Sequence, residues 1–424
     1  MTIEIIPMDT TVFTIAVGFS CGAIHEEPSL SGISHLLEHM IFKGDSSESS
    51  ITRFRALQDT GAMWNAVTSH DNTIFYLSCG VDYAPDVIQI MEKNLNKFRP
   101  TLNQLTIEKR VVLEERALAF SDVEPDIFDI MHANTPYGAS IIGTIDTVQG
   151  ITLDQITRYY NKHYRQPHVV IVCPRKFHSA CETLIYKKFP TANSSCNNQT
   201  LLDLNMTRIL DTKLTRVVTH VAASLPAAKK QKTHEVHQAI EDCELGILGF
   251  PANDFRSDIC YLVAFILKIR FFEEARIRKG LVYGIRVQFT PYLLTGFLEI
   301  NFKSSKGTCV EVLTIIKSQI KYLFQISRKD LGKYHKDYIA SKLVQDSVTI
   351  CVQAVKDNMY GANANMYGAN ANNNTRSNSR HSLILYEFYD TVKILFRSGR
   401  VGIKCTTACK ESDILKLIDF SSFL

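Results

Sequence analysis

Residues 32–44 read GISHLLEHMIFKG, and no other stretch of the chain restricts its fold so tightly. An apolar run that carries two histidines and a glutamate is best accommodated as a helix. His35, Glu38 and His39, at i, i+3 and i+4, then share one face, while Leu36, Leu37, Met40 and Ile41 supply the buried side. The expected helix runs from about Ile33 to Phe42.

His35, Leu36, Leu37, Glu38 and His39 spell H-x-x-E-H, the inverse of the commoner zinc-protease pentapeptide. Two imidazoles four residues apart can bind one Zn²⁺ from a single helix, but a catalytic zinc needs three protein ligands and an open position. Taken alone, such a helix face is more often a solvated polar surface or a satisfied part of the core than a metal site. A third ligand must come from elsewhere, and Glu115 is the candidate, on a helix that Thr101 can cap and that runs to about Phe120. Glu108 lies two turns earlier on nearly the same face, where it could orient a ligand from behind. Glu114 competes with Glu115, because sequence alone does not fix the rotation of that helix.

At 424 residues the chain suits two domains of about 200 residues each. Hydrophobic residues at 45% against 21% charged give both lobes material for a core. The formal charge of +4, with no Lys/Arg run, argues against nucleic acid as a partner. The 11 cysteines are scattered rather than regularly spaced, which suits free thiols in a reducing compartment. Cys405 and Cys409 could sit one helical turn apart, but two thiols alone make a poor zinc site. No Lys or Arg precedes Lys43, so no signal or transit peptide is expected, and the expected location is cytoplasmic or another reducing intracellular compartment. The apolar run Thr11–Phe19 is too short to span a bilayer, and no membrane association is expected.

Ile3 to Cys21 reads as strand, 51–60 as helix, Asn65 to Ser78 as a β-rich segment, Asp86 to Phe98 as amphipathic helix and Val169 to Cys173 as a buried strand. Between about Pro190 and Lys232 the composition turns to Asn, Ser, Thr, Ala and Lys. The expected organisation is therefore a first domain over 1–195, a linker over 196–232 and a second domain over 233–424. The second lobe echoes the first, with a strand at Leu245 to Phe250, a helix from about Phe255 to Arg278, strands around Leu281 to Lys303, and helices past Val310 and Lys329. NMYGANA at Asn358–Ala364 is repeated at once at Asn365–Ala371, and the expected reading is a flexible insertion near 358–380.

The segments GISHLLEHMIFKG, GAMWNAVTSHDNTIFY, EKRVVLEER, IGTIDTV and YYNKHY occur in the order seen in the pitrilysin family of zinc metallopeptidases, the inverzincins. In the second lobe LGFPA and FFEEARIRKGLVYG resemble the segment carrying that family's Arg and Tyr pair, here Arg276 and Tyr283. The resemblance implies an α+β fold of two related α/β sandwich domains, each an antiparallel-rich sheet packed with helices. It makes His35, His39 and Glu115 ligands of one Zn²⁺ per chain, Glu38 the general base and Glu108 the supporting carboxylate. Asn65 and Ala66 would contact a peptide added as an extra strand, and Arg276 and Tyr283 would hold its backbone and the developing oxyanion. The implied activity is endopeptidase cleavage of unfolded peptides or precursor segments, by a homodimer or a heterodimer with a related subunit. The alternative is a non-catalytic binding or assembly subunit. Three departures are visible: little room before Thr11 for the family's additional first strand, Ala62 where a second glycine is usual, and the NMYGANA duplication.

Overall fold

The computed structural model describes residues 2–43, 50–96, 98–120, 127–189, 217–220, 240–342, 344–360, 385–397, 400–406 and 411–423. They form two compact units, each built on a five-stranded sheet.

In the first unit the strands are β1 (Thr2–Met8), β2 (Val12–Phe19), β3 (Met63–Thr68), β4 (Thr73–Gly80) and β5 (His168–Pro174), in the order β1-β5-β2-β4-β3. Only β1 and β5 run parallel; every other pairing is antiparallel. The second unit repeats this arrangement. Its strands are β6 (Val217–His220), β7 (Ile240–Gly249), β8 (Val282–Pro291), β9 (Gly296–Ser305) and β10 (Val401–Thr406), in the order β6-β10-β7-β9-β8, with β6 and β10 parallel and the remainder antiparallel. The fold is thus α+β with two related antiparallel-rich sheets.

Helices of the first half are α1 (Ile33–Ile41), α2 (Ser50–Asp59), α3 (Ala84–Asn96), α4 (Leu102–Phe120), α5 (Ile127–His132), α6 (Ile145–Gly150), α7 (Leu153–His163) and α8 (His178–Lys188). Those of the second half are α9 (Arg256–Phe271), α10 (Cys309–Leu323), α11 (Arg328–Lys342), α12 (Ser347–Tyr360), α13 (Leu385–Leu395) and α14 (Glu411–Ile418). Where a single helix was expected to Arg278, α9 passes into a π-helical segment, Phe272–Arg278. The core of the first unit joins β2, β4 and β5 to α1 and α3 through Phe13, Ile15, Phe75, Leu37, Met91 and Ile171, all buried.

Two expectations change at the first strand. Ile3 to Cys21 is not one strand, because Val12 donates its N–H to the Thr10 hydroxyl at 3.1 Å and the chain turns there. Thr2–Met8 becomes a separate strand beside β5, so the additional first strand is present rather than missing. The expected linker at 196–232 lies outside the described residues except for Val217–His220, which is strand. The expected insertion at 358–380 likewise lies outside them after Tyr360, where α12 ends.

Chain order does not reveal that each unit takes a helix from the other half of the chain. Helix α12 belongs to the first unit, lying on β2 and β5, while α5 belongs to the second, lying on β7 and β10. Both rest on strand glycines. A Cβ at Gly18 would come within 2.2 Å of Val355 in α12, and one at Gly246 within 2.7 Å of the Met131 sulfur in α5. Polar anchors add to α12: the Tyr360 hydroxyl donates to Asp71 Oδ1 at 2.8 Å and receives a hydrogen bond from Asn72 Nδ2 at 2.7 Å, all three buried.

Entry into α1 depends on a backbone contact between distant segments. Gly32 caps the helix at φ 93° and lies against Gly143 at φ 77°; a Cβ on Gly143 would meet Ser31 O at 2.3 Å. Replacing Gly143 with alanine should therefore destabilise the chain by about 2–4 kcal/mol, from the disfavoured φ and the clash with main chain. Urea unfolding of Gly143→Ala against the parent measures this, and an unchanged midpoint contradicts the contact.

Candidate metal centre

Helix α1 buries Ile33, Ser34, Leu36, Leu37, Met40 and Ile41, which leaves His35, Glu38 and His39 on its other face. Glu26, in the preceding loop, accepts the N–H groups of Gly32 (2.7 Å) and Ser34 (2.8 Å), satisfying amides that the first helical turn leaves open. Burial raises the Glu26 carboxyl to about 7. Helix α4 starts from a capping box, with Gln104 N–H donating to the Thr101 hydroxyl and Thr101 N–H to the Gln104 side chain. Gln104 Nε2 also donates to Lys43 O at 3.1 Å, and Arg116 Nη1 to Gly143 O at 2.5 Å, which ties both stretches of α4 to the surroundings of α1.

This framework brings His35, His39 and Glu115 together, with their ligand atoms all within 4.8 Å of one another. Glu115 Oε2 lies 3.8 Å from His35 Nε2 and 3.4 Å from His39 Nε2. Donors about 2.1 Å from a tetrahedral zinc stand about 3.4 Å apart, so the residues fit that ion with little movement. Glu115, rather than the competing Glu114, is in the cluster. Its side chain is 49% exposed, which leaves the cluster open on one side.

Behind His39, Glu108 Oε2 faces Nδ1 at 3.5 Å, while Glu108 Oε1 pairs with Lys43 Nζ at 3.1 Å. The Glu108 side chain is 3% exposed; burial opposes its charge, but His39 and Lys43 outweigh that and hold the carboxyl below its usual range. Burial, with the neighbouring His39, pushes His35 down to about 4, so its imidazole is neutral at pH 7 and able to act as a donor. For His39 burial acts downward, yet the carboxylates of Glu108, Glu38 and Glu115 outweigh it and raise the imidazole.

Glu38 stands beside this cluster on α1. Burial raises its carboxyl, against the Thr68 hydroxyl, which donates to Glu38 Oε2 at 2.7 Å. Thr68 ends β3, which among the described residues is the edge strand of the first sheet and pairs only with β4. Asn65 and Ala66 lie on this strand, whose Met63, Trp64 and Val67 are exposed. Sequence reasoning missed Thr68, Lys43 and Glu26. For Thr68 one signal was present, since it follows Asn65–Ala66 within the same short strand.

Arg276 and Tyr283 lie in the second unit. The Arg276 guanidinium sits 5.2 Å from the Tyr283 ring centre and donates to Val282 O at 3.2 Å. Glu273, an alternative partner for Arg276, pairs instead with Arg278 at 2.6 Å, and Tyr283 is 86% exposed rather than packed in a core. Among the described residues no helix is long and apolar enough to cross a membrane.

Residues 5–145 match the model of the insulinase family, peptidase family M16. An uncharacterized zinc protease of Streptomyces coelicolor is 23% identical over 326 residues, covering 73% of this chain and 67% of that protein. The uncharacterized zinc protease YmxG of Bacillus subtilis is 28% identical over 353 residues, covering 80% and 77%. Human mitochondrial-processing peptidase subunit beta is 27% identical over 192 residues, 44% of this chain and 39% of its own. Among solved structures, a protease from Helicobacter pylori superposes with a TM-score of 0.73 at 15% identity, covering 95% of this chain and 96% of the other. The peptidase M16 inactive domain from Pseudomonas fluorescens gives 0.70 at 14%, covering 95% and 94%. The match over residues 5–145, the zinc-protease relatives and the doubled sheet make the chain similar to peptidase family M16, the insulinase or pitrilysin family.

Proposed function

We propose that the chain is a zinc-dependent endopeptidase that hydrolyses unfolded peptides or precursor segments, with His35, His39 and Glu115 holding one Zn²⁺ and Glu38 acting as general base. The observation that carries this reading is the convergence of His35 Nε2, His39 Nε2 and Glu115 Oε2 beside Glu38. Zinc held there supplies Lewis acidity, lowering the pKa of water from 15.7 to about 7 and polarising a carbonyl.

The chain's own residues do the rest. Glu38, held by Thr68, takes the proton of the attacking water and returns one to the leaving amine. Glu108 holds His39 from behind and so fixes which imidazole nitrogen faces the metal. The peptide adds along the free edge of β3 at Asn65 and Ala66, held by main-chain hydrogen bonds, which suits an extended substrate of varied sequence. Arg276 and Tyr283, side by side and with the phenol exposed, are proposed to hold the substrate backbone and the oxyanion. The human relative is one subunit of a processing peptidase, which supports pairing of this chain with a second copy or a related chain.

A second reading, a non-catalytic assembly subunit, is favoured by the similarity to a domain described as inactive. Incubating the zinc-loaded chain with a mixed library of unstructured peptides separates the two. Cleavage is expected, identified by mass spectrometry, abolished by a chelator and restored by zinc. No cleavage with zinc bound, alone or with a related chain added, supports the second reading.

A further inference from the structure

We propose that Cys243, Cys309 and Cys405 form a second metal site, for a soft thiophilic ion of the copper(I) class, in the second unit and separate in its ligands from the histidine cluster.

Three elements distant in sequence supply it. Cys243 and Cys405 are directly opposed on the antiparallel strands β7 and β10, and Cys309 is the first residue of α10. Their sulfur atoms all lie within 4.8 Å of one another. Sulfurs about 2.3 Å from a metal in a trigonal plane stand about 4 Å apart, so small side-chain adjustments suffice. None of the three is in a disulfide.

The chemistry selects the ion. All three residues are buried, at 0%, 0% and 1% exposure, so no water is at hand to complete the shell that a hard cation keeps. Zinc in a closed site takes four ligands, and among the described residues no fourth His, Cys, Asp or Glu donor joins the group. The nearby buried carboxylate of Glu241 is engaged by the Cys309 N–H at 3.0 Å. Three thiols, with no fourth donor among the described residues, match a monovalent d¹⁰ ion, which prefers soft sulfur and accepts low coordination. Binding releases three thiol protons and brings in one positive charge. The resulting negative charge lies at the N-terminus of the 15-residue α10, whose dipole favours it. Three small side chains filling a core would also be buried, but need not converge on one point. Because the site is sealed, the ion enters as the chain folds.

The full-length chain carrying His35→Ala and His39→Ala, refolded without oxygen in the presence of a copper(I) chelate, tests this without interference from the imidazoles. One copper per chain is expected, with a sulfur-only shell of three neighbours by X-ray absorption and a raised melting temperature. Cys309→Ala and Cys405→Ala, each confirmed as folded by circular dichroism, should lose that copper. Nitrogen or oxygen neighbours, no copper retained by the folded chain, or copper bound equally by folded cysteine variants overturns the proposal. If the cysteine variants do not fold, the X-ray absorption spectrum of the cysteine-intact chain decides alone.

Discussion

Replacing Glu38 with glutamine should leave zinc bound and remove cleavage. The amide has nearly the same volume as the carboxylate, and its oxygen can still accept the 2.7 Å hydrogen bond from Thr68, so α1 keeps its position. His35, His39 and Glu115 are untouched. What is lost is the ability to take a proton from water and hand one to the departing amine, worth about 10²–10⁴-fold in rate. Zinc content by elemental analysis should match the parent, while kcat/KM on any cleaved peptide falls by that factor. Turnover equal to the parent's would sink the assignment of Glu38 as base.

His39→Ala should fail at an earlier stage and lose both metal and activity. It removes one of three donors and leaves the Glu108 carboxylate, 3% exposed, without the ring it faces. Loss of a supporting residue behind a ligand typically weakens metal binding about 10–100-fold, and loss of a ligand itself should exceed that. Dialysis against a zinc buffer followed by metal analysis gives the affinity, and the peptide assay gives the activity. Stoichiometric zinc in folded His39→Ala would remove this residue from the ligand set. Comparing the two variants separates proton transfer from metal holding.

Much of the first unit could be read from the sequence where a local rule governs. The α1 helix begins and ends within a residue of expectation, because its apolar and polar positions follow one helical period. Thr101 caps α4 through a short-range box with Gln104 that is visible in sequence. Helical periodicity left Glu114 and Glu115 open; the family resemblance pointed to Glu115, and the packing of α4 against α1 brings that residue into the cluster. Contacts between distant segments left no comparable trace. Thr68 reaches Glu38 across 30 positions, and the stacking of Gly143 on Gly32 has no local signature. The convergence of Cys243, Cys309 and Cys405 was equally hidden, since the three lie in segments far apart in the chain.

The exchange of α5 and α12 between the two units bears on how the polypeptide is made. Synthesis delivers the N-terminal sheet first, but the helix that covers Gly18 emerges only after most of the second sheet's strands. The first unit therefore completes its packing late, through contacts of long sequence separation that are slow to close. A gene fragment stopping after β5 would encode the proposed ligands His35, His39 and Glu115 and still yield an uncovered sheet face. Supplying the α12 segment as a separate peptide would be the natural way to complement it.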